Sequence, residues 1–285
     1  MQVLAGRLLN AKVGDRFERL SDMQREFRMG AGTIQTAIKH IEDAGGASFR
    51  RSGHQGSFIE TLNTRQLWNM SGRAPLIGAF PSFSAPEMRD VRASLRLKFG
   101  NAGIPMITSE QAGSASRIRA VLDGDADFAV VSKGAERLIS DDAASDLKTI
   151  NFEDGSYYRP GSVVVLFRKS EKASTAERPR RIAVDPTSSD HYQMSIAEFG
   201  PIDRSERFEC NYLEIPRQIL SGTVDVAIWH QVDSLIPFDL VGLGFAPLRK
   251  PATLDLLLTY SRMMLVTRAE DRFIGRIAAE NIRQE

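Results

Sequence analysis

A chain of 285 residues that is 42% hydrophobic exceeds one typical domain and can bury a sizeable core, which excludes a fibrous or wholly disordered protein and predicts two globular parts. The formal net charge of +1 conceals an asymmetry: residues 1–73 carry 11 Lys/Arg against 7 Asp/Glu, the remainder 26 against 29. The lone Cys210 excludes an internal disulfide, no apolar stretch reaches the roughly 18 residues of a membrane span, and the opening MQVLAGRLLNAKVGDR lacks the pattern of an export signal, so a cytoplasmic protein away from membranes is expected.

Three short helical patterns come first. Val3 to Leu9 is stopped by Lys12-Val13-Gly14. In LSDMQREF, Ser21 followed three residues later by Gln24 predicts a capping-box start, with Met23 and Phe27 on one face. After MGAGT, the positions Ile34, Ala37, Ile38 and Ile41 repeat at helical spacing up to Gly45-Gly46, leaving Gln35, Thr36, Lys39 and His40 on the opposite face. Ala47 to Phe49 and Ser57 to Glu60 then alternate as a hairpin around a turn holding Arg50, Arg51 and His54.

Three helices and a hairpin make a winged helix-turn-helix. The polar face of its third helix suits a major groove, and arginines on a glycine-flexed wing suit phosphate or a minor groove. Thr33, Gln35, Thr36, Lys39, Arg50, Arg51 and His54 are therefore the candidate contacts to double-stranded operator DNA. Thr33-Ile34, Ala37-Ile38, Ile41-Glu42, Gly45 and HQGSFI resemble the GntR-type regulators over about residues 3–60. The Ser-Arg pair that opens the recognition helix in that family is Gly30-Ala31 here, so its operator sequence does not carry over.

The polar stretch TLNTRQLWNMSGRAP follows, in which Leu62, Leu67 and Trp68 suit a short helix packed on either neighbour. Residues 1–62 are expected to form the DNA-binding domain, 63–73 a linker, and 74–285 the second domain. There PLIGAF, IPMIT and DFAVVS read as strands, and Pro86–Phe99 and Ser116–Leu122 as helices; this alternation predicts a parallel sheet. RIRAVLDGDADFAVV (117–131) and IPRQILSGTVDVAIW (215–229) align without a gap at an offset of 98, matching Leu122 with Leu220, Gly124 with Gly222, Asp127 with Asp225 and Ala129 with Ala227. The repeat predicts two α/β lobes, about 74–165 with 245–285 and about 166–244, joined through Ser162–Arg168 and Met263–Thr267.

The fold class is thus α/β with a small α+β domain: an amino-terminal winged helix-turn-helix and a bilobed domain that binds a ligand at the carboxyl ends of its strands. Asp127 and Asp225 precede their strands and are read as turn-positioning residues. Residues that follow strands are the ligand candidates: Ser82, Phe83, Ser84, Ser109, Ser132 and Lys133 in the first lobe, and Ser188, Ser189, Asp190, Trp229 and His230 in the second. Short hydroxyls and helix-start amides suit a carboxylate or phosphate, and Trp229 a stacked ring.

The same order of domains, with LLNAKVGDR, RRSGHQGSF, LDGDADFAVVSK, VDVAIWHQV and GLGFAPL, resembles the YhfZ family of transcriptional regulators over nearly the whole chain. The resemblance implies a DNA-binding regulator whose carboxyl-terminal domain is similar to type 2 periplasmic binding proteins and senses a small-molecule effector. A homodimer follows from the need for two half-sites. No cofactor, metal or catalysis is expected, because His40, His54, His191 and His230 lack metal-ligand spacing and neither a nucleotide loop nor a nucleophile motif is present. The rival reading is a solute-binding or scaffold protein whose winged helix touches protein and not DNA.

Overall fold

The computed structural model describes residues 1–82, 85–170, 181–201, 203, 206–232 and 236–280. The chain forms two compact units, Met1–Leu76 with Ser94–Ile107 and Ala269–Glu285, and Ile77–Ala93 with Thr108–Arg268.

The first unit begins with α1 (Gln2–Asn10), α2 (Leu20–Phe27) and α3 (Ala31–Asp43). Leu4, Leu8 and Leu9 of α1, Met23 of α2, and Ile34 and Ile41 of α3 are buried, so the helical spacing does mark the inner faces; each such side chain contributes about 1.5–3 kcal/mol on burial. The capping box at Ser21 does not form: α2 starts at Leu20 with Arg19 as its N-cap and no side-chain cap. The preceding residues are extended instead. Ile59 N–H donates to the Asp15 carbonyl (2.9 Å) and Phe17 N–H to that of Ser57 (2.8 Å), which sets one isolated antiparallel bridge, Arg16 to Phe58, beside the hairpin. The third helix begins at Ala31 on Gly30, three residues before its first buried isoleucine.

The hairpin strands are β1 (Ala47–Arg51) and β2 (Ser57–Leu62), antiparallel with a register shift between Ser48 and Phe49. Residues 63–73, read as a linker, contain α4 (Thr64–Ser71), capped by the Asn63 side chain. Leu67 and Trp68 are buried, with Trp68 6.0 Å from the Phe273 ring. That ring belongs to α11 (Arg272–Ala279), whose Arg276 donates to the Leu9 and Ala11 carbonyls at the end of α1, satisfying acceptors that a helix end leaves open.

In the second part of the chain β3 (Leu76–Phe80), α5 (Pro86–Asn101), β4 (Met106–Glu110), α6 (Ser114–Asp123), β5 (Phe128–Ser132), α7 (Asp141–Ala144) and β6 (Leu147–Asn151) come first. Then follow β7 (Val163–Arg168), β8 (Ile182–Val184), α8 (Ser189–Phe199), β9 (Arg207–Glu209), α9 (Ile215–Leu220), β10 (Val226–His230), β11 (Leu243–Pro247), α10 (Pro251–Tyr260) and β12 (Met263–Arg268).

These strands form two five-stranded sheets ordered β4-β3-β5-β12-β6 and β9-β8-β10-β7-β11. The sheets are mixed and not parallel throughout. β12 runs antiparallel to β5 and β6, and β7 antiparallel to β10 and β11, whereas β3–β5, β8–β10 and β8–β9 are parallel. The passages Ser162–Arg168 and Met263–Thr267, expected as connections, are thus the antiparallel fourth strands of the two lobes.

The repeat extends to hydrogen bonds. Asp127 Oδ2 accepts from Ile77 N–H (2.7 Å) and Asp127 N–H donates to the Ile77 carbonyl (2.8 Å); Asp225 makes the same pair with Arg181, both at 2.9 Å. Each aspartate clamps the start of its strand to the start of the neighbouring one, away from the strand carboxyl ends. Gly124 and Gly222, at φ +82° and +75°, turn the chain between helix and strand in each copy, a conformation that favours glycine. No helix among the described residues is long and apolar enough to cross a membrane.

Candidate functional site

In the winged helix, Thr33, Gln35, Thr36, Lys39, Arg50, Arg51 and His54 are all exposed. Gln35, Lys39 and Arg51 line one groove with Phe17, Met23 and Phe49, and Glu18, Glu42 and Asp43 lie in the same wall. Arg50 lies over the Phe58 ring, 5.7 Å from its centroid. The turn between the strands is held by Gly53 and Gly56 at φ +50° and +90°, and a Cβ on Gly56 would stand 3.3 Å from the Arg16 guanidinium. Arg16 is an exposed basic side chain beside the wing that sequence reasoning missed, because its strand pairing lies outside the hairpin.

The second site is a cavity of about 170 Å³ between the two lobes. The first lobe supplies Ser82, the start of α6 and Arg117; the second supplies the start of α8, Asp185, Tyr212, Ile228 and His230; Tyr157 and Tyr158 come from the segment that crosses between them. Strand alternation explains the second-lobe wall: Ile228 and His230 face the cavity, while Trp229 between them turns into the lobe core and stacks on Tyr212 at 4.5 Å and 4°.

Of the ligand candidates, Ser82, Ser188, Asp190 and His230 line the cavity. Ser132 stands behind it and donates to the Asp190 carboxylate; Ser189 accepts from Arg137, Lys133 pairs with Glu136, and Ser109 accepts from Gln111. Phe83 and Ser84 lie outside the described residues. Ser188 caps α8 by accepting from His191 N–H, and the neighbours Asp190 and His191 bond to different groups, the Ser132 and Tyr158 hydroxyls against the Asp185 amide and the Ile228 carbonyl.

Two of the buried polar contacts, Ser132–Asp190 and Glu87–His230, cross between the lobes. Asp190 accepts from Ser132 and, at 3.4 Å, from the Tyr158 hydroxyl. Burial raises its carboxyl above the usual range, against the lowering effect of Ser132 and Arg137. Glu87 accepts from His230 Nε2 (3.2 Å) and Arg159 N–H (3.0 Å); burial opposes its ionisation, yet these bonds hold it down to about 2. His191 Nδ1 accepts from Asp185 N–H (3.1 Å), so its Nε2 carries the proton and donates to the Ile228 carbonyl (2.9 Å). Burial lowers His191 to about 4 and raises Tyr157 to about 12.

Arg117, Tyr157, Tyr158, Asp185, His191 and Tyr212 were missed from sequence. One signal was available: the repeat offset sets Arg117 against Ile215, a cation where the other copy has a fully buried apolar side chain. The copies also solve one problem alike, since Arg117 Nε donates to the Val130 carbonyl (3.0 Å) and His191 to that of Ile228, residues equivalent in the repeat.

A family model described as the YhfZ C-terminal domain matches residues 63–285, and one described as a helix-turn-helix domain matches residues 12–59. The YhfZ protein of Escherichia coli strain K12 is 27% identical over 269 residues, 94% of this chain and 84% of that protein. The crystal structure of YhfZ from Shigella flexneri shares the fold at 23% identity and a TM-score of 0.53, covering 75% of this chain and 87% of that one. With the match spanning the bilobed domain and α11, and a helix-turn-helix ahead of it, the chain belongs to the YhfZ family.

Proposed function

We propose that this protein is a ligand-responsive transcriptional regulator of the cytoplasm, in which the winged helix binds operator DNA as a homodimer and a small anionic effector occupies the interlobe cavity. The observation that carries the reading is one chain holding both an exposed basic wing beside a helix-turn-helix and a cavity walled by two lobes. Thr33, Gln35, Thr36 and Lys39 would read the major groove; Arg50, Arg51 and His54 would contact phosphate or the minor groove. Effector binding would shift the population of lobe arrangements and, through that equilibrium, operator affinity. The lobe contacts Ser132–Asp190 and Glu87–His230 are the groups such a shift would make or break.

Selection of bound fragments from genomic DNA tests this, with Arg50→Ala/Arg51→Ala run in parallel. Recovery of one palindrome-like site by the native protein alone supports the regulator. Recovery of nothing, or of the same scatter by both, would move the reading to a solute-binding protein whose winged helix contacts protein.

A further inference from the structure

Arg117 is 3% exposed, and each of its bonds goes to a neutral acceptor. Nε donates to the Val130 carbonyl (3.0 Å), Nη1 to that of Gln111 (2.8 Å), and Nη2 to Ser114 Oγ (3.1 Å) and the Tyr157 hydroxyl (3.3 Å). Among the described residues no carboxylate forms an ion pair with it. A guanidinium has five N–H groups, so among the described residues one on Nη1 is left over after these four bonds. The charge that acts on Arg117 is the buried Asp190 carboxylate elsewhere in the cavity wall, beyond ion-pair distance, and a buried cation whose counter-charge is that remote gains from an anion in direct contact. The same wall holds the start of α6, whose N-cap is Gly113 with no side-chain cap, and first-turn amides left uncapped in this way suit an anion.

The opposite wall has the other sign. Asp190 is 5% exposed, is held by the hydroxyls of Ser132 and Tyr158, and has Arg137 behind it at 3.9 Å. Asp185 is already committed, accepting from Thr187 N–H (2.8 Å), Thr187 Oγ1 (2.7 Å) and Tyr212 N–H (3.0 Å). The adjacent tyrosines divide between the poles: Tyr157 touches Arg117 and Tyr158 touches Asp190, their rings 4.8 Å apart at 86°. A ligand here meets one cation and one acid, in a volume of about 170 Å³, below the roughly 300 Å³ at which drug-sized pockets begin.

We infer that the effector is a small monocarboxylate bearing a hydroxyl or ammonium group, with its carboxylate at Arg117 and the start of α6 and its hydrogen-bond donor at Asp190. This rests on the reading of the cavity as the effector site and narrows it. A dicarboxylate or a phosphate dianion sets a second negative charge against Asp190 and Asp185, where water does not screen the repulsion, and a neutral polyol leaves Arg117 without an anion in direct contact.

The test uses the full chain in thermal unfolding and titration calorimetry. Probes are lactate, glycerate, L-alanine and L-serine, set against propionate, succinate, L-malate, inorganic phosphate and glycerol. At least one hydroxy- or amino-monocarboxylate is expected to bind saturably and raise the melting temperature. Arg117→Lys should weaken it by about tenfold or more, because an ammonium cannot reproduce the fork. Asp190→Asn, which keeps the shape of the wall and removes its charge, should admit succinate or L-malate that the native protein rejects. Saturable binding of phosphate, succinate or glycerol only, failure of all four hydroxy- and amino-acids, or an Asp190→Asn variant with unchanged selectivity would overturn the inference. Electrophoretic mobility of a selected DNA fragment with and without the bound probe separates the two readings. A monocarboxylate that binds without altering DNA affinity leaves the ligand assignment standing and counts against the regulator.

Discussion

His191 gives the sharpest quantitative expectation. Its ring is fixed as the Nε2–H tautomer between the Asp185 amide and the Ile228 carbonyl. Protonation would add a second proton facing an N–H group, losing the bond at Nδ1. The folded-state value of about 4 against an ordinary 6.5 means that between these pH values the unfolded chain binds more protons than the folded one. Stability therefore falls as pH drops through that window. The full difference is about 3 kcal/mol, of which about 1.3 kcal/mol is lost between about pH 7.5 and 5.5. Trp68 and Trp229 are the two tryptophans and lie in different units, so in a Trp68→Phe background the fluorescence of Trp229 reports urea unfolding of the lobes alone. His191→Gln can keep both hydrogen bonds, with its amide oxygen toward Asp185 and its NH₂ toward Ile228, and cannot titrate. The comparison also cancels Asp190, whose raised carboxyl acts in the opposite sense at the acid end, and Glu87, whose loss of stability begins only below its ordinary 4.5. The variant should lose about 1.3 kcal/mol less than its parent over the same pH range. Equal losses would refute the assignment of a buried neutral imidazole.

Further expectations concern the frame of the cavity. A Cβ on Gly134 would stand 2.5 Å from the Tyr260 ring and 2.7 Å from Asp190 Oδ1, so Gly134→Ala should cost about 1–3 kcal/mol in the same urea assay through overpacking. An unchanged midpoint would show that α10 and α8 yield freely there. Asp127→Ala and Asp225→Ala each leave a strand-start amide without its carboxylate acceptor and should cost similar amounts, about 1–3 kcal/mol each. Widely different losses would show that the two lobes do not share this clamp.

Much of the architecture was legible because the repeat is written in residues that physics constrains: a left-handed turn at Gly124 and Gly222, and carboxylates at Asp127 and Asp225 that lock paired strands. Strand direction was not legible. β7 and β12 are continuous apolar runs buried on both faces, and such runs carry no sign of whether they lie parallel or antiparallel. The cavity was half legible for the same reason. Asp190 and His230 follow helix-start and strand-end rules, but the phase of β10 that turns Trp229 inward and His230 outward is set by packing on Tyr212. Arg117 looks like a solvated helical arginine until its counterpart Ile215 is set beside it, and Tyr157-Tyr158 sit in a polar crossover segment with no periodicity. At the amino terminus Ser21 had the spacing of a cap, but the pairing of residues 15–17 with β2 extends the chain there and moves the helix start to Leu20.

DNA binding through the wing is tested by the salt dependence of affinity for a selected duplex, native protein against Arg50→Ala/Arg51→Ala. Each phosphate contact contributes close to one unit to the slope of log affinity against log salt. The variant is expected to bind more weakly at low salt, with a slope shallower by about two per winged helix engaged. A native protein that is folded yet shows no affinity for DNA at any salt concentration, or a variant with an unchanged slope, would contradict that role for the wing.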